Sequence, residues 1–120
     1  MVAHPTPVAQ RDIWWADFGE PVGSNPGFVR PVIIVQNDRM NATRLHTYLC
    51  VPMTGSLKHA AAPWNLALSP ETTGLPHESL AQANLLTTVD ETQLGDRIGS
   101  IRASDLQRLF ACLDVALGRT

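Results

Sequence analysis

The sequence predicts a mainly β fold, a β-rich α+β domain in which a small, strongly bent antiparallel sheet or barrel is finished by one amphipathic C-terminal helix. Three observations predict it. Short alternating or β-branched segments, separated by Gly and Pro turn signals, recur up to about residue 101. Beyond that point Leu106, Leu109, Phe110, Leu113 and Leu117 fall at helical spacing and make one apolar stripe. At 120 residues the chain has room for a single modest core, and it shows no internal repeat or linker. Residues 1–120 therefore read as one domain.

The elements follow in order. Met1-Val2-Ala3-His4-Pro5-Thr6-Pro7 lacks the basic start and apolar centre of a signal peptide, and residues 1–10 read as a flexible, proline-stiffened tail. Residues 12–18, Asp12-Ile13-Trp14-Trp15-Ala16-Asp17-Phe18, carry the aromatics of a half-buried strand. Trp14, Trp15 and Trp64 are all expected in the core. A Gly- and Pro-rich loop over residues 19–27 leads to the most apolar run, Val29-Arg30-Pro31-Val32-Ile33-Ile34-Val35. Pro31 has no N–H and suits the first residue of a strand, and the β-branched residues after it suit burial on both faces, giving a second strand over 32–36. Residues 37–41 read as a turn or one helical turn.

The third strand is expected over residues 45–54. Its residues Leu45, Leu49, Val51 and Met53 share one parity, so His46, Tyr48 and Thr54 point the other way. Residues 64–68 alternate cleanly, 79–86 read as a strand and 97–101 as a short one, with Ser69-Pro70, Thr73-Gly74 and Leu75-Pro76 as punctuation. Ser104 with Gln107 predicts a capping box for the last helix, and Gly118 its stop.

Charge and cysteine content narrow the function classes. A net charge of −2 gives no global attraction to nucleic acid, but Arg11, Arg30, Arg39, Arg44 and Lys58 all lie in the first half, so a nucleic-acid site would be local and built there. No apolar run approaches the ~20 residues of a membrane span. Cys50 and Cys112 are far apart and make neither a CxxC nor a disulfide framework; both read as small buried residues of a protein in the reducing cytoplasm. His4, His46, His59 and His77 are scattered, the carboxylates are dispersed, and the sequence holds no HExxH, GK[ST] loop or GxSxG. No metal or other cofactor is expected.

What remains is Arg30 together with Thr54. A permanently charged fork at a strand entrance, behind a Gly-rich loop, suits an anion and above all a phosphate. Thr54 ends the third strand and is followed by Gly55-Ser56-Leu57-Lys58-His59. If the second and third strands are antiparallel neighbours, the start of one and the end of the other share one end of the sheet. Positive charge and donors gathered there suit phosphodiester chemistry without a metal, because they stabilise a dianionic pentacoordinate phosphorus. Lys58 and His59 fit either phosphate contact or a solvated loop.

These residues resemble the MazF/PemK (Kid-like) toxins of bacterial toxin–antitoxin pairs. The resemblance runs from about Arg11 to Leu117 through residues 12–18, Gly23-Ser24, Val29-Arg30-Pro31 and its β-branched run to Asp38, residues 49–54, Thr88-Val89-Asp90, and Arg97-Ile98-Gly99-Ser100-Ile101. It implies a small SH3-like bent barrel with a C-terminal helix, a homodimer, and a cognate antitoxin as partner, with DNA contacted only through that antitoxin and no membrane. It implies metal-independent, sequence-selective cleavage of single-stranded RNA by 2′-hydroxyl attack, leaving a 2′,3′-cyclic phosphate and a 5′-hydroxyl. Arg30 occupies the position of the family's catalytic arginine and Thr54 that of its partner threonine. Ser24, Asn25, Phe28, Ser56, Lys58 and His59 are the expected RNA-binding residues.

The chain departs from the family pattern at four places. Arg11-Asp12 stands where Gly-Asp is frequent, Asn25 where an acid is frequent, and Leu85 and Thr87 where a Gln and a basic residue are frequent. The last three bear on which RNA is held. Two alternatives share the fold: a gyrase poison like CcdB, against which the ending Leu117-Gly118-Arg119-Thr120 argues because it lacks a terminal Trp-Gly-Ile, and a degenerate relative that only binds antitoxin.

Overall fold

The computed structural model describes residues 7–120. Strands β1 (Asp12–Asp17), β2 (Val29–Ile34), β3 (Thr47–Thr54), β4 (Asn65–Leu68), β5 (Ser79–Gln82), β6 (Thr87–Asp90) and β7 (Leu94–Ser100) form one antiparallel sheet. Its order is β4-β5-β3-β2-β1-β7, with β6 beside β3 off that path. Helices α1 (Asp38–Asn41) and α2 (Pro70–Thr73) are single turns, and α3 (Ala103–Leu117) is the long one. Of the two expected forms, bent sheet or barrel, the sheet is the open one: among the described residues no pairing joins β4 to β7.

Strand β3 organises the bend. It pairs with β2 in the register Val32↔Pro52, Ile33↔Val51, Ile34↔Cys50. On its other edge residues 47–50 pair with β6, and Met53 and Thr54 pair with β5. Leu49 turns its carbonyl and amide toward the β2 side, to Val35 N (3.0 Å) and Gln36 Oε1 (3.2 Å). Alternation then turns Pro52 to the other edge, between the end of β6 and the start of β5, where a residue without an N–H forfeits no ladder bond.

Each face of the central strands has its own core. Ile13, Ile33, Val51 and Met53 meet Leu106, Leu109, Cys112 and Leu113 of α3 on one face. Trp14, Val32, Ile34, Tyr48, Cys50 and Val89 pack on the other. The β-branched run of β2 is thus buried on both sides, as expected. Each such side chain contributes about 1.5–3 kcal/mol on burial. Both cysteines are free and buried, and burial pushes the Cys50 thiol up to about 12.

Several expectations are corrected. Of the tail, residues 1–6 lie outside the described residues, but from Val8 the chain is docked: Val8 is buried and Gln10 bonds to Asp38 Oδ1 (2.8 Å) and Val35 O (2.9 Å). β3 starts at Thr47, leaving Leu45 outside the strand and exposed; Tyr48 faces away from Val51 and Met53 as expected but is buried, because a second core covers that face, while Leu49 is exposed. The expected strand over 79–86 ends at Gln82, where a 3-10 turn (Ala83–Leu85) separates it from β6. The capping box at Ser104 and Gln107 does not form: the helix starts two residues earlier, Arg102 is the N-cap, and no side chain caps it. Asp105 in the first turn suits the helix dipole instead and pairs with Arg108 Nη1 (3.2 Å). Gly118 does end the helix in the left-handed region (φ 71°), and Leu117 leaves the core.

Arg11 explains one departure from the family pattern. Its φ is 80°, a region that favours glycine. Its amide donates to Ile34 O (2.8 Å), its carbonyl accepts from Ile101 N (2.9 Å), and its guanidinium Nη1 donates to Ile101 O (3.2 Å). The long side chain thus supplies a bond that offsets backbone strain. We expect Arg11→Gly to be more stable than Arg11→Ala by about 1 kcal/mol, since alanine keeps the strain and loses the bond. Urea unfolding midpoints measure this, and equal midpoints would refute it.

Candidate functional site

The β2–β3 register builds the site. Recorded pairing reaches Val32↔Pro52, and continuing it by two residues sets Arg30 opposite Thr54. Opposed residues of an antiparallel pair project from the same face. Arg30 also faces Ala16 of β1, and Thr54 faces Leu80 of β5, so one row crosses the sheet with the two polar residues at its centre. The arginine and threonine singled out by sequence are therefore brought together.

Arg30 is half-buried and donates through Nε to Gly27 O at 3.4 Å. Among the described residues no carboxylate pairs with it. Its fork retains donors for an anion, from a side chain that stays charged at all working pH. The loop ahead of it is closed at the neck by Phe18 N to Phe28 O (2.8 Å) and Phe28 N to Gly19 O (2.6 Å). Gly27 must be glycine, because a Cβ there would lie 2.5 Å from the Pro21 side chain. Ser24 is exposed in this loop, and Phe28, at a φ of 57°, leaves its ring 60% exposed beside Arg30 in sequence.

Thr54 leads into the second loop. Its Oγ1 accepts from Ser56 N (3.2 Å), which orients the hydroxyl and leaves its proton available for donation. Ser56 Oγ in turn accepts from Lys58 N (3.5 Å). Ser56, Lys58 and His59 are all exposed. Asn65 at the start of β4 donates from Nδ2 to His59 O (2.9 Å). Sequence reasoning missed both Gly27 and Asn65. Asn65 occupies the outward parity of β4, where a polar residue signals nothing.

Asn25 belongs to a separate feature. With Phe18, Pro26, Leu85 and Thr87 it lines a cleft of about 210 Å³. Three departures from the family pattern, Asn25, Leu85 and Thr87, thus converge in one uncharged cleft. Of the tryptophans expected in the core, only Trp14 is there; Trp15 and Trp64 are 36% and 40% exposed. Trp15 borders an apolar patch with Pro31, Gly55 and His77. Trp64 borders a larger groove of about 570 Å³ with Leu86, Leu113 and Leu117.

The remaining titratable groups are structural. His46 Nδ1 lies 2.9 Å from the buried Glu91 carboxylate, and burial, with the Glu91 charge second, raises Tyr48 above its ordinary value. Asp90 is held below the usual carboxylate range by hydrogen bonds from Thr92. Asp12, also buried, accepts from Ala9 N, Trp14 Nε1 and Arg97 Nε and ties β1 to β7. Among the described residues no three His, Cys, Asp or Glu side chains are grouped to hold a metal ion, and no helix is long and apolar enough to cross a membrane.

Residues 9–117 match the family model described as PemK-like, MazF-like toxin of type II toxin–antitoxin system. Endoribonuclease MazF6 of Mycobacterium tuberculosis is 39% identical over 97 residues, covering 81% of this chain and 85% of the relative. Endoribonuclease EndoA of Bacillus subtilis is 26% identical, covering 92% and 94%. In structure, MazF of Deinococcus radiodurans superposes with a TM-score of 0.80 at 18% identity, covering 94% of this chain and 98% of that one. A mycobacterial endoribonuclease solved in complex with its cognate antitoxin superposes at 0.75 with 20% identity, covering 94% and 97%. The chain belongs to the PemK-like, MazF-like toxins of type II toxin–antitoxin systems.

Proposed function

We propose that this toxin is a metal-independent, sequence-selective endoribonuclease acting on single-stranded RNA in the cytoplasm, silenced by a cognate antitoxin. The observation that carries this reading is the register that opposes Arg30, unpaired by any described carboxylate, to Thr54. In the reaction the ribose 2′-oxygen attacks the adjacent phosphorus and loses its proton. The bond from phosphorus to the 5′-oxygen breaks, and that oxygen takes up a proton. The products are a 2′,3′-cyclic phosphate and a 5′-hydroxyl. Arg30 neutralises the charge that builds on the phosphorane, and the Thr54 hydroxyl donates to one of its oxygens. Arginine is a poor base because its pKa exceeds ~12, so its role is electrostatic.

The exposed ring of Phe28 suits stacking of a base, and Ser24, Ser56, Lys58 and His59 offer donors along the strand's path. The neutral cleft of Asn25, Leu85 and Thr87 bears on which sequence is cut, since reading there falls to uncharged groups. A homodimer would cover the groove bordered by Trp64, Leu86 and Leu117, whose large apolar side chains are exposed.

Arg30→Ala is expected to abolish cleavage of a long single-stranded RNA while the variant stays folded. Thr54→Ala is expected to lower kcat by about a hundredfold with KM little changed, the signature of a donor used in the transition state. Wild-type rates in the arginine variant would sink the site assignment. Excess EDTA is expected to leave the rate unchanged and the new ends as 5′-hydroxyls; strong inhibition would exclude the metal-free reading. Leu117→Asp is expected to shift the sedimentation coefficient from dimer to monomer, and an unchanged value would move the interface elsewhere.

A further inference from the structure

Asn65 stands on the face that bears Arg30 and Thr54. The register Thr54↔Leu80 and Leu80↔Ala67 carries that face across to β4, and alternation adds Asn65, which lies opposite Gln82. Leu80, between Thr54 and Ala67 in this row, is 1% exposed, and residues 55–64 form the loop that returns from β3 to β4. A chain of hydrogen bonds runs through that loop. Ser56 N donates to Thr54 Oγ1, Lys58 N to Ser56 Oγ, Ala60 N to Leu57 O, and Ala62 N to His59 O. It closes where Asn65 Nδ2 donates to His59 O at 2.9 Å and Asn65 N to Ala62 O at 3.0 Å.

The other end of the Asn65 amide is unsatisfied. Its Oδ1 is buried without a hydrogen-bond donor, and so is Oε1 of Gln82 across the ladder. Buried acceptors without donors cost folding free energy. An apolar side chain at position 65 would remove part of that cost and would suit the strand. What it would lose is the side-chain donor to His59 O, while the backbone bond from Asn65 N to Ala62 O would remain. The energetics therefore assign Asn65 to holding His59 O, not to stabilising the sheet.

We infer that Asn65 is a positioning residue for the RNA site, fixing the Lys58–His59 segment beside Thr54 so that its donors meet the phosphate strand already ordered. This rests on the endoribonuclease reading above. A pinned cation binds without the ordering loss that a loose one suffers, so releasing the pin weakens RNA binding and leaves the chemistry of Arg30 and Thr54 intact.

The test compares wild type, Asn65→Leu, Lys58→Ala and the double variant. With RNA, Asn65→Leu is expected to raise KM about tenfold with kcat within about twofold, and its thermal midpoint should be equal or higher. Lys58→Ala should cost much less in the Asn65→Leu background than alone, because both act through one segment. An unchanged KM, a fall in kcat alone, or independent effects of the two substitutions would overturn the inference. Hydrogen–deuterium exchange of residues 56–62 provides a readout that needs no cleavage. Faster exchange in Asn65→Leu supports the pin and unchanged exchange refutes it, whether or not the wild type cuts RNA. If the leucine variant does not fold, Asn65→Ala replaces it in both measurements.

Discussion

The alignment of β2 on β3 is the constraint on which the site depends. Ile33 and Val51 project into the core beneath α3, while Val32, Ile34 and Cys50 project into the core on the other face. A slip of one residue would exchange the two sets and drive every side chain into the wrong packing. Cores on both faces therefore hold the register with several buried side chains, each contributing about 1.5–3 kcal/mol. Arg30 and Thr54 lie just beyond the recorded ladder and inherit its precision without being buried by it. A group held this way keeps access to solvent and is rigid enough to aim.

Around this fixed pair the polar apparatus is distributed by stiffness. The loop before Arg30 is necked by two backbone bonds and folded on itself at Gly27 and Pro21, so the carbonyl that receives Arg30 Nε belongs to a compact unit. The loop after Thr54 is tied at intervals by hydroxyl and carbonyl acceptors and fastened at its far end by Asn65. The cleft of Asn25, Leu85 and Thr87 is lined from two segments distant in sequence and carries no charge. In the proposed reading the reacting pair stands on strands and the RNA-contacting residues on loops, an arrangement that lets the recognised sequence vary while the reacting groups stay put.

The pairing of Arg30 with Thr54 was legible because it needed only local facts: a proline that starts a strand, a β-branched run, and a second strand ending in a hydroxyl. The helix of residues 103–117 was legible through its period, though not its start, since Ser104 and Gln107 formed a capping pattern two residues too late. The alternation of the third strand was legible, with Tyr48 facing away from Val51 and Met53, but alternation reveals two faces and not which of them is covered; here a second core covers Tyr48 and Cys50, and Leu49 stays exposed. The break after Gln82 was hidden in apolar residues that suit a strand equally well. Trp15 and Trp64 were expected inside on residue type alone, and no local pattern distinguishes them from Trp14. Asn65 and the convergence of Asn25 with Leu85 and Thr87 depend on long-range closure of the sheet, which single-sequence patterns do not record.

Strand β1 lies between β2 and β7, pairing Asp12 with Ser100 across nearly the whole length of the chain. During synthesis β1 and β2 leave the ribosome early, yet one edge of β1 stays open until residues 94–100 emerge. The segment holding Arg30 thus has an unsupported neighbour for most of the time the chain is being made, and pairings this distant are slow to form. Of the strand pairings, that of β7 with β1 joins the residues farthest apart in sequence, so the sheet that aims Arg30 is completed by its slowest contact.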